Sequence, residues 1–191
     1  MERIILASKS PRRKQLLEWA EIPFDIIVKD TDEMYPASLA IEQVPLYIAR
    51  NKALAVKDEL SHDRLILAAD TIVVLKDRVI GKPASKEDAI QILQDLSGKT
   101  HLVITGVVLL KGHKEISFAD ITEVEFHQLT NEQIQYYVEH YQPYDKAGAY
   151  AIQEWIGVIG IKRVKGDFYN VMGLPVSRVV NTLTHFEELA S

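Results

Sequence analysis

The chain contains no cysteine. Disulfides, thiolate metal sites and cysteine nucleophiles are therefore excluded, and a reducing compartment is favoured. No apolar run is long enough to span a bilayer, and no signal-peptide pattern precedes the first predicted strand. These absences predict a cytoplasmic protein that has no membrane partner.

Several signature motifs are also lacking. The sequence has no G-x-x-x-x-G-K-[ST] and no G-x-G-x-x-G, which disfavours P-loop kinases and Rossmann dehydrogenases. Without a G-x-S-x-G turn, hydrolysis through an activated serine has no support. The six histidines never approach a zinc spacing such as H-E-x-x-H. A net charge of −5 argues against nucleic acid as a partner.

The chain does have a normal size and apolar content. Its 191 residues are 47% hydrophobic and 26% charged, which is typical of a globular protein with an ample core. Helical and strand patterns mix without strict alternation, and this predicts an α/β fold with a mixed sheet. We expect a single domain over residues 1–191.

The hydrophobic periodicity predicts helices and strands along the whole chain. Helices are expected over residues 11–20, 42–60, 85–96, 130–140 and 175–189. After a short first strand at Ile4, further strands are expected over residues 24–28, 65–75, 79–80, 101–110, 116–126 and 158–164. Asp70 and Thr71 are expected to interrupt the apolar strand at 65–75.

A Ser-Lys-Ser-Pro-Arg-Arg turn follows the first strand. Ser10 stands where a helix N-cap belongs, and Pro11 stands at the first helical position. The N–H groups and dipole at a helix start favour an anion, and arginine donates two hydrogen bonds to phosphate oxygens. A capped surface helix is the alternative, but cations in the first turn oppose the helix dipole. The turn therefore predicts a phosphate-binding corner with the polar side chains Ser8, Lys9, Ser10, Arg12 and Arg13.

Four other charged residues stand against the local pattern. Asp70 lies in an apolar strand, where a carboxylate is costly unless it is paired or binds a metal. Its alternative role is to cap a bulge or pair with a buried arginine. Lys52 rises from the apolar face of a helix, although long lysines also extend past a core to solvent. Lys82, in a rigid Gly-Lys-Pro corner, and Glu33, in an acidic loop, are also compatible with ordinary turn and surface positions.

Together these side chains predict one kind of chemistry. Two carboxylates can hold Mg²⁺, and one of them can accept a proton from an attacking water. The cations neutralise charge on a phosphate chain, where positioning and electrostatics supply most of the rate. The set is suited to metal-assisted hydrolysis of a phosphoanhydride.

The sequence resembles the Maf family of nucleoside triphosphate pyrophosphatases over nearly its whole length. The motifs that carry the resemblance occupy residues 8–13, 69–71, 81–83, 144–148 and 170–175. The resemblance implies cleavage between the α and β phosphates of a nucleotide. It also implies an elongated mixed β-sheet flanked by helices, with two lobes around a central cleft, as in Maf and ITPase-like proteins. The resemblance also implies a divalent metal, with Mg²⁺ preferred and Mn²⁺ as the alternative. Because the family is often dimeric, a homodimer is a further expectation.

Residue by residue, the resemblance assigns roles to the predicted site. Asp70 matches the family's proton acceptor. Glu33 and Asp70 match its metal-binding positions, and Lys52 and Lys82 match further catalytic positions. The substrate-binding positions are Ser8, Ser10, Arg12, Arg13, Thr71 and Gln153.

Three positions resemble the branch of the family that acts on dTTP and UTP. Arg13, Thr71 and Gln153 match that branch, whereas the branch acting on 7-methyl-GTP has different residues there. A glutamine amide has a donor and an acceptor that suit the edge of a pyrimidine ring. Taken alone, Gln153 is also compatible with an ordinary loop glutamine.

Two rival functions follow from the same residues. The first is a nucleotide-binding regulator of cell division or septum formation. Asp70 and Glu33 argue against a pure binder, because added negative charge weakens phosphate binding unless a metal is held. The second is a housecleaning pyrophosphatase for other, non-canonical nucleotides.

Overall fold

The computed structural model describes residues 2–189, apart from the side chain of Glu187. Within them, seven strands form one mixed sheet flanked by helices, in the order β2-β1-β3-β5-β6-β7 with β4 paired to β3. The strands are β1 (Ile4–Leu6), β2 (Phe24–Ile26), β3 (Ile66–Leu75), β4 (Arg78–Ile80), β5 (Thr100–Lys111), β6 (Lys114–Phe126) and β7 (Ile161–Lys165). β1 runs parallel to β2 and β3, whereas the β3–β4 and β6–β7 pairs are antiparallel. The predicted α/β fold with a mixed sheet is confirmed.

Helices cover most of the segments predicted for them. They are α1 (Pro11–Trp19), α2 (Val44–Lys57), α3 (Lys86–Leu96), α4 (Asn131–Tyr141), α5 (Trp155–Gly160), α6 (Phe168–Met172), α7 (Val176–Thr184) and α8 (Phe186–Leu189). The Ser10, Ser85 and Thr130 hydroxyls each accept a backbone N–H three residues on, as helix N-caps do. These local signals explain why the starts of α1, α3 and α4 were predictable. No helix in residues 2–189 is both long and apolar enough to cross a membrane.

The predicted interruption of β3 is wrong. The strand runs without a break from Ile66 to Leu75, with Asp70 in its middle. A carboxylate can stay in an apolar strand when a nearby cation pairs with it, and the half-buried Lys52 supplies that cation. The strand therefore needs no bulge at this point.

Two predictions near the C-terminal end are confirmed only in part. Of the strand predicted over 158–164, residues 161–164 belong to β7, whereas residues 158–160 form the end of α5. The apolar, β-branched run imitates a strand, but the N–H groups of Gly157 and Val158 donate to the Glu154 carbonyl and start a helix. The helix predicted over 175–189 is divided into α7 and α8 at His185, which has non-helical backbone angles.

The chain divides into two compact units. The first unit contains the described residues up to Asp70, Thr105–Asp120, and those from Gly173 onward. Its core packs α2 onto apolar residues of β1, β3 and β5. A Cβ at Gly106 of β5 would lie 2.4 Å from backbone atoms of Pro45 and Leu46. Only glycine allows the start of α2 to approach β5 this closely, and this contact sets the position of the helix that carries Lys52.

The second unit contains Thr71–Ile104 and Ile121–Met172. Within it α3 packs against α4, and Leu93, Phe126, Tyr137 and Ile156 are buried. Residues 122–126 of β6 alternate between buried and half-buried, as in a strand with one face on the core.

Candidate active site

The predicted phosphate corner is a closely bonded turn at the start of α1. The Ser8 hydroxyl accepts hydrogen bonds from the Ser10 backbone N–H at 3.2 Å and from Nη1 of Arg13 at 3.1 Å. Nε of Arg13 donates to the Gly173 carbonyl at 2.8 Å. Ser8 and Arg13 are buried, whereas Arg12 beside them is half-buried. Arg13 therefore holds the turn together from within, and Arg12 is the more accessible of the two guanidinium groups.

Arg13 is a buried positive charge beside two carboxylates. Burial lowers the pKa of its guanidinium, and the nearby carboxylates of Asp70 and Glu33 act in the opposite direction. Arg12 adds a smaller lowering effect on the same pKa. An arginine remains protonated under such conditions. The corner thus keeps a permanent cation in the neighbourhood of Asp70 and Glu33.

Lys52 pairs with both Glu33 and Asp70 in the first unit. Its ammonium donates to Oε1 of Glu33 at 2.8 Å and to Oδ1 of Asp70 at 2.7 Å. The side chains of Lys52 and Asp70 are 19% and 13% exposed, whereas that of Glu33 is 55% exposed. Lys52 therefore does not extend its ammonium to solvent. A helix, a central strand and a loop bring three charged groups together at one point.

The loop that carries Glu33 is attached to its surroundings by ion pairs. Lys9 lies 2.6 Å from Asp30, and its hydrogen bond lowers the pKa of that carboxyl group. Lys29 lies 2.9 Å from Glu59. Both pairs are exposed, so each contributes little to stability. The Lys9 pair nevertheless affects the position of the Glu33 loop, because it links that loop to the phosphate corner.

The Glu33 and Asp70 carboxylates are suitable ligands for a divalent cation. Both contact the same ammonium, so one oxygen of each lies within reach of a common positive charge. In the described part of the chain, no three acidic or histidine side chains cluster as a metal site. Mg²⁺ usually takes only one or two protein carboxylates and completes its shell with substrate phosphates and water. The pair fits Mg²⁺ bound together with a phosphate chain.

Comparison with known proteins assigns the chain to a family. The family model described as Maf-like protein matches residues 3–186. The chain belongs to the Maf family. A dTTP/UTP pyrophosphatase of Cytophaga hutchinsonii is 56% identical over 180 residues, which are 94% of this chain and 82% of the relative. A dTTP/UTP pyrophosphatase of Parabacteroides distasonis is 49% identical over 185 residues, 96% of each chain.

The Maf fold also has a counterpart among solved structures. A HAM1 protein from Coxiella burnetii aligns with 97% of this chain and 100% of its own, with a TM-score of 0.53 and 16% sequence identity. At this identity the likeness concerns the fold alone. It agrees with the predicted mixed sheet flanked by helices.

The remaining predicted Maf site residues lie in the second unit. Thr71 follows Asp70 on β3, Lys82 is exposed in the turn after β4, and Gln153 is exposed in the turn before α5. The Gly148 N–H donates to the Gly81 carbonyl at 3.1 Å. This bond joins the turn of Lys82 to the 144–148 motif.

Sequence reasoning missed a buried lysine in this Maf chain. Lys146 is buried between Asp145, at 2.7 Å, and Glu154, at 3.6 Å. A lysine directly after an aspartate and before Ala147 and Gly148 was a usable signal. Its partner Glu154 was not predictable, because it belongs to an irregular turn eight residues further on.

His101 makes the stability of the second unit depend on pH. Burial lowers the pKa of His101 to about 4, from about 6.5 in an unfolded chain. Between these values the unfolded chain binds the extra proton, so the free energy of unfolding falls as pH falls. From pH 7 to pH 5 the expected loss from this residue is about 2 kcal/mol.

Urea unfolding at the two pH values measures this effect. His101→Gln is the matched variant, because its amide can still bond the Tyr150 hydroxyl, which lies 2.7 Å from Nε2 of His101. The variant should lose less stability than the natural chain on acidification. Equal losses would show that His101 does not contribute to the acid sensitivity.

Proposed function

We propose that this Maf protein hydrolyses dTTP and UTP to the monophosphate and pyrophosphate. The observation that carries the proposal is the ammonium of Lys52 held between Glu33 and Asp70, in the same unit as the phosphate corner. Carboxylates and cations in this arrangement suit a triphosphate bound with a metal. The names of the relatives from Cytophaga hutchinsonii and Parabacteroides distasonis support the same reaction.

In this proposal Asp70 is the general base. Its Oδ1 holds Lys52, and Oδ2 accepts a proton from the attacking water. The water oxygen forms a bond to the α phosphorus, and the bond from that phosphorus to the bridging oxygen breaks. Pyrophosphate leaves with the electron pair of the broken bond, while the new P–O bond completes the monophosphate.

Glu33 and Asp70 are the residues that would hold Mg²⁺, or Mn²⁺ as the alternative. When bound, such an ion neutralises triphosphate oxygens and acts as a Lewis acid. Lys52 keeps both carboxylates in place and contributes a positive charge of its own. The ammonium therefore orders the acidic pair and also stabilises developing negative charge.

The phosphate corner binds the rest of the triphosphate. Backbone N–H groups at the start of α1, together with Arg12 and Ser10, face the anion in this proposal. Ser8 and Arg13 maintain the turn through their mutual hydrogen bond, and Arg13 adds positive charge from beneath it. Lys82 neutralises a further phosphate oxygen.

The base is recognised by Thr71 and Gln153. The Gln153 amide offers a donor and an acceptor to the edge of uracil or thymine. Cytosine presents the reverse pattern at the same edge. A fixed amide can therefore discriminate between these pyrimidines.

The test is pyrophosphate release with Mg²⁺ or Mn²⁺ from dTTP, UTP, CTP, ITP and 7-methyl-GTP. The proposal predicts release from dTTP and UTP above the other nucleotides. Preference for ITP would favour a housecleaning enzyme for purine nucleotides. Binding of dTTP without hydrolysis of any nucleotide would favour a regulator.

A further inference from the structure

Glu154 occupies the N-cap position of α5 but does not cap the helix with its side chain. Its carboxylate accepts a hydrogen bond from the Tyr137 hydroxyl and lies 3.6 Å from Nζ of Lys146. Capping would have satisfied a backbone N–H of the helix. The carboxylate is instead directed into a cluster of polar side chains within the second unit.

Lys146 is an unusual member of this cluster, because its side chain is only 10% exposed. Its ammonium pairs with Asp145 and Glu154. Burying an ion pair rarely adds net stability, since desolvation offsets the attraction, and fixing one geometry is a better-attested use. The cluster thus has the character of a positioning device.

The geometry that it fixes is the turn of residues 151–154. Tyr137 is fully buried on α4, and its hydroxyl donates to Glu154 and accepts the Ala151 N–H at 3.1 Å. One hydroxyl therefore holds both ends of the turn. The Glu154 N–H closes the same turn on the Ala151 carbonyl at 3.1 Å.

The following helix packs against this turn without any spare space. A Cβ at Gly157 would lie 1.8 Å from the Ile152 carbonyl oxygen. Ala151 and Ile152 are buried and Glu154 is half-buried, whereas Gln153 is exposed. The turn is thus held on several sides and presents one polar side chain, that of Gln153.

We propose that Tyr137, Glu154 and Lys146 are positioning residues that set the discrimination between uracil and cytosine. The proposal rests on the proposed function, in which Gln153 recognises the base. A glutamine amide can match either pyrimidine by reversing its donor and acceptor. The fixed backbone of the turn sets where this amide meets the base, so loosening the turn lowers selectivity more than it lowers the chemical rate.

The experiment compares kcat and KM for UTP and CTP in the natural chain and in Tyr137→Phe. This substitution removes the hydroxyl and keeps the buried ring. The ratio of kcat/KM for UTP to that for CTP should fall about ten-fold, mainly through KM for UTP. Tyr141→Phe is the matched control, because Tyr141 lies one turn further along α4 and its ring stacks on Tyr137. The control should keep the natural ratio.

A double-mutant cycle separates positioning from a general loss of structure. If Tyr137 acts through Gln153, adding Tyr137→Phe to Gln153→Ala should change the UTP to CTP ratio little further. Glu154→Gln, which keeps the side-chain shape but removes the charge facing Lys146, is the second variant if Tyr137→Phe folds poorly. It should lower the ratio in the same direction.

Each other outcome overturns the inference. Equal losses for UTP and CTP, or fully additive effects in the double variant, would show a merely structural role. A natural chain that hydrolyses both nucleotides without preference would overturn the inference and leave the pyrophosphatase reaction intact. Failure of the natural chain to hydrolyse any nucleotide would contradict both proposals.

Discussion

Replacing Asp70 with asparagine should lower kcat for dTTP by about 100- to 10,000-fold, the usual contribution of a general base. Asparagine keeps the shape of the side chain but cannot accept the proton of the attacking water. The fold should persist, because Lys52 retains its ion pair with Glu33 at 2.8 Å. Steady-state pyrophosphate release, with dTTP binding and thermal unfolding measured in parallel, checks this expectation.

Asp77→Asn is the matched control for that substitution. Asp77 lies in the turn between β3 and β4 with a φ of 61°, a conformation that asparagine also adopts readily. The same chemical change in the same hairpin should therefore leave kcat near its natural value. Turnover by Asp70→Asn at the rate of the control would remove Asp70 from the mechanism.

Replacing Lys52 with methionine should lower kcat by roughly 100-fold. Methionine has a similar length and apolar stem, but it leaves Glu33 and Asp70 without the ammonium that they share. Negative charge that develops on the phosphates then loses a nearby cation. The two carboxylates also repel each other, so we expect the response to Mg²⁺ concentration to change along with kcat.

Lys57→Met, in the last turn of the same helix, is the control for Lys52→Met. It should affect activity little, because Lys57 lies outside the proposed site. Equal turnover by the two variants, with only the melting temperature lowered in Lys52→Met, would assign Lys52 a structural role alone.

Local chemistry made much of the fold predictable. Ser10 and Pro11 mark the start of α1 through a capping hydroxyl and a residue without an N–H, and both effects act within one turn. Helix α5, which takes residues 158–160 of the strand predicted at 158–164, was not predictable in this way. Its start depends on the turn at Glu154, whose side chain is held by Tyr137 seventeen residues earlier.

In the candidate site too, local features were predictable from the sequence and long-range contacts were not. Asp70 and Lys52 were identifiable because each places a charge against an apolar pattern. Lys52 pairs with Glu33, 19 residues before it, and with Asp70, 18 residues after it. Tertiary packing brings these positions together, and hydrophobic periodicity does not encode that packing. The bond from Arg13 to the Gly173 carbonyl spans 160 residues. It explains why an arginine predicted to bind substrate is buried within the turn itself.

Hydrolysis of dTTP in ¹⁸O-labelled water, with both products identified, tests the central claim most directly. The proposed reaction predicts dTMP and pyrophosphate in equal amounts, with the ¹⁸O label in dTMP, because water attacks the α phosphorus. Formation of dTDP and labelled orthophosphate would contradict it, since that result places the attack at the γ phosphorus and makes the protein a different kind of triphosphatase.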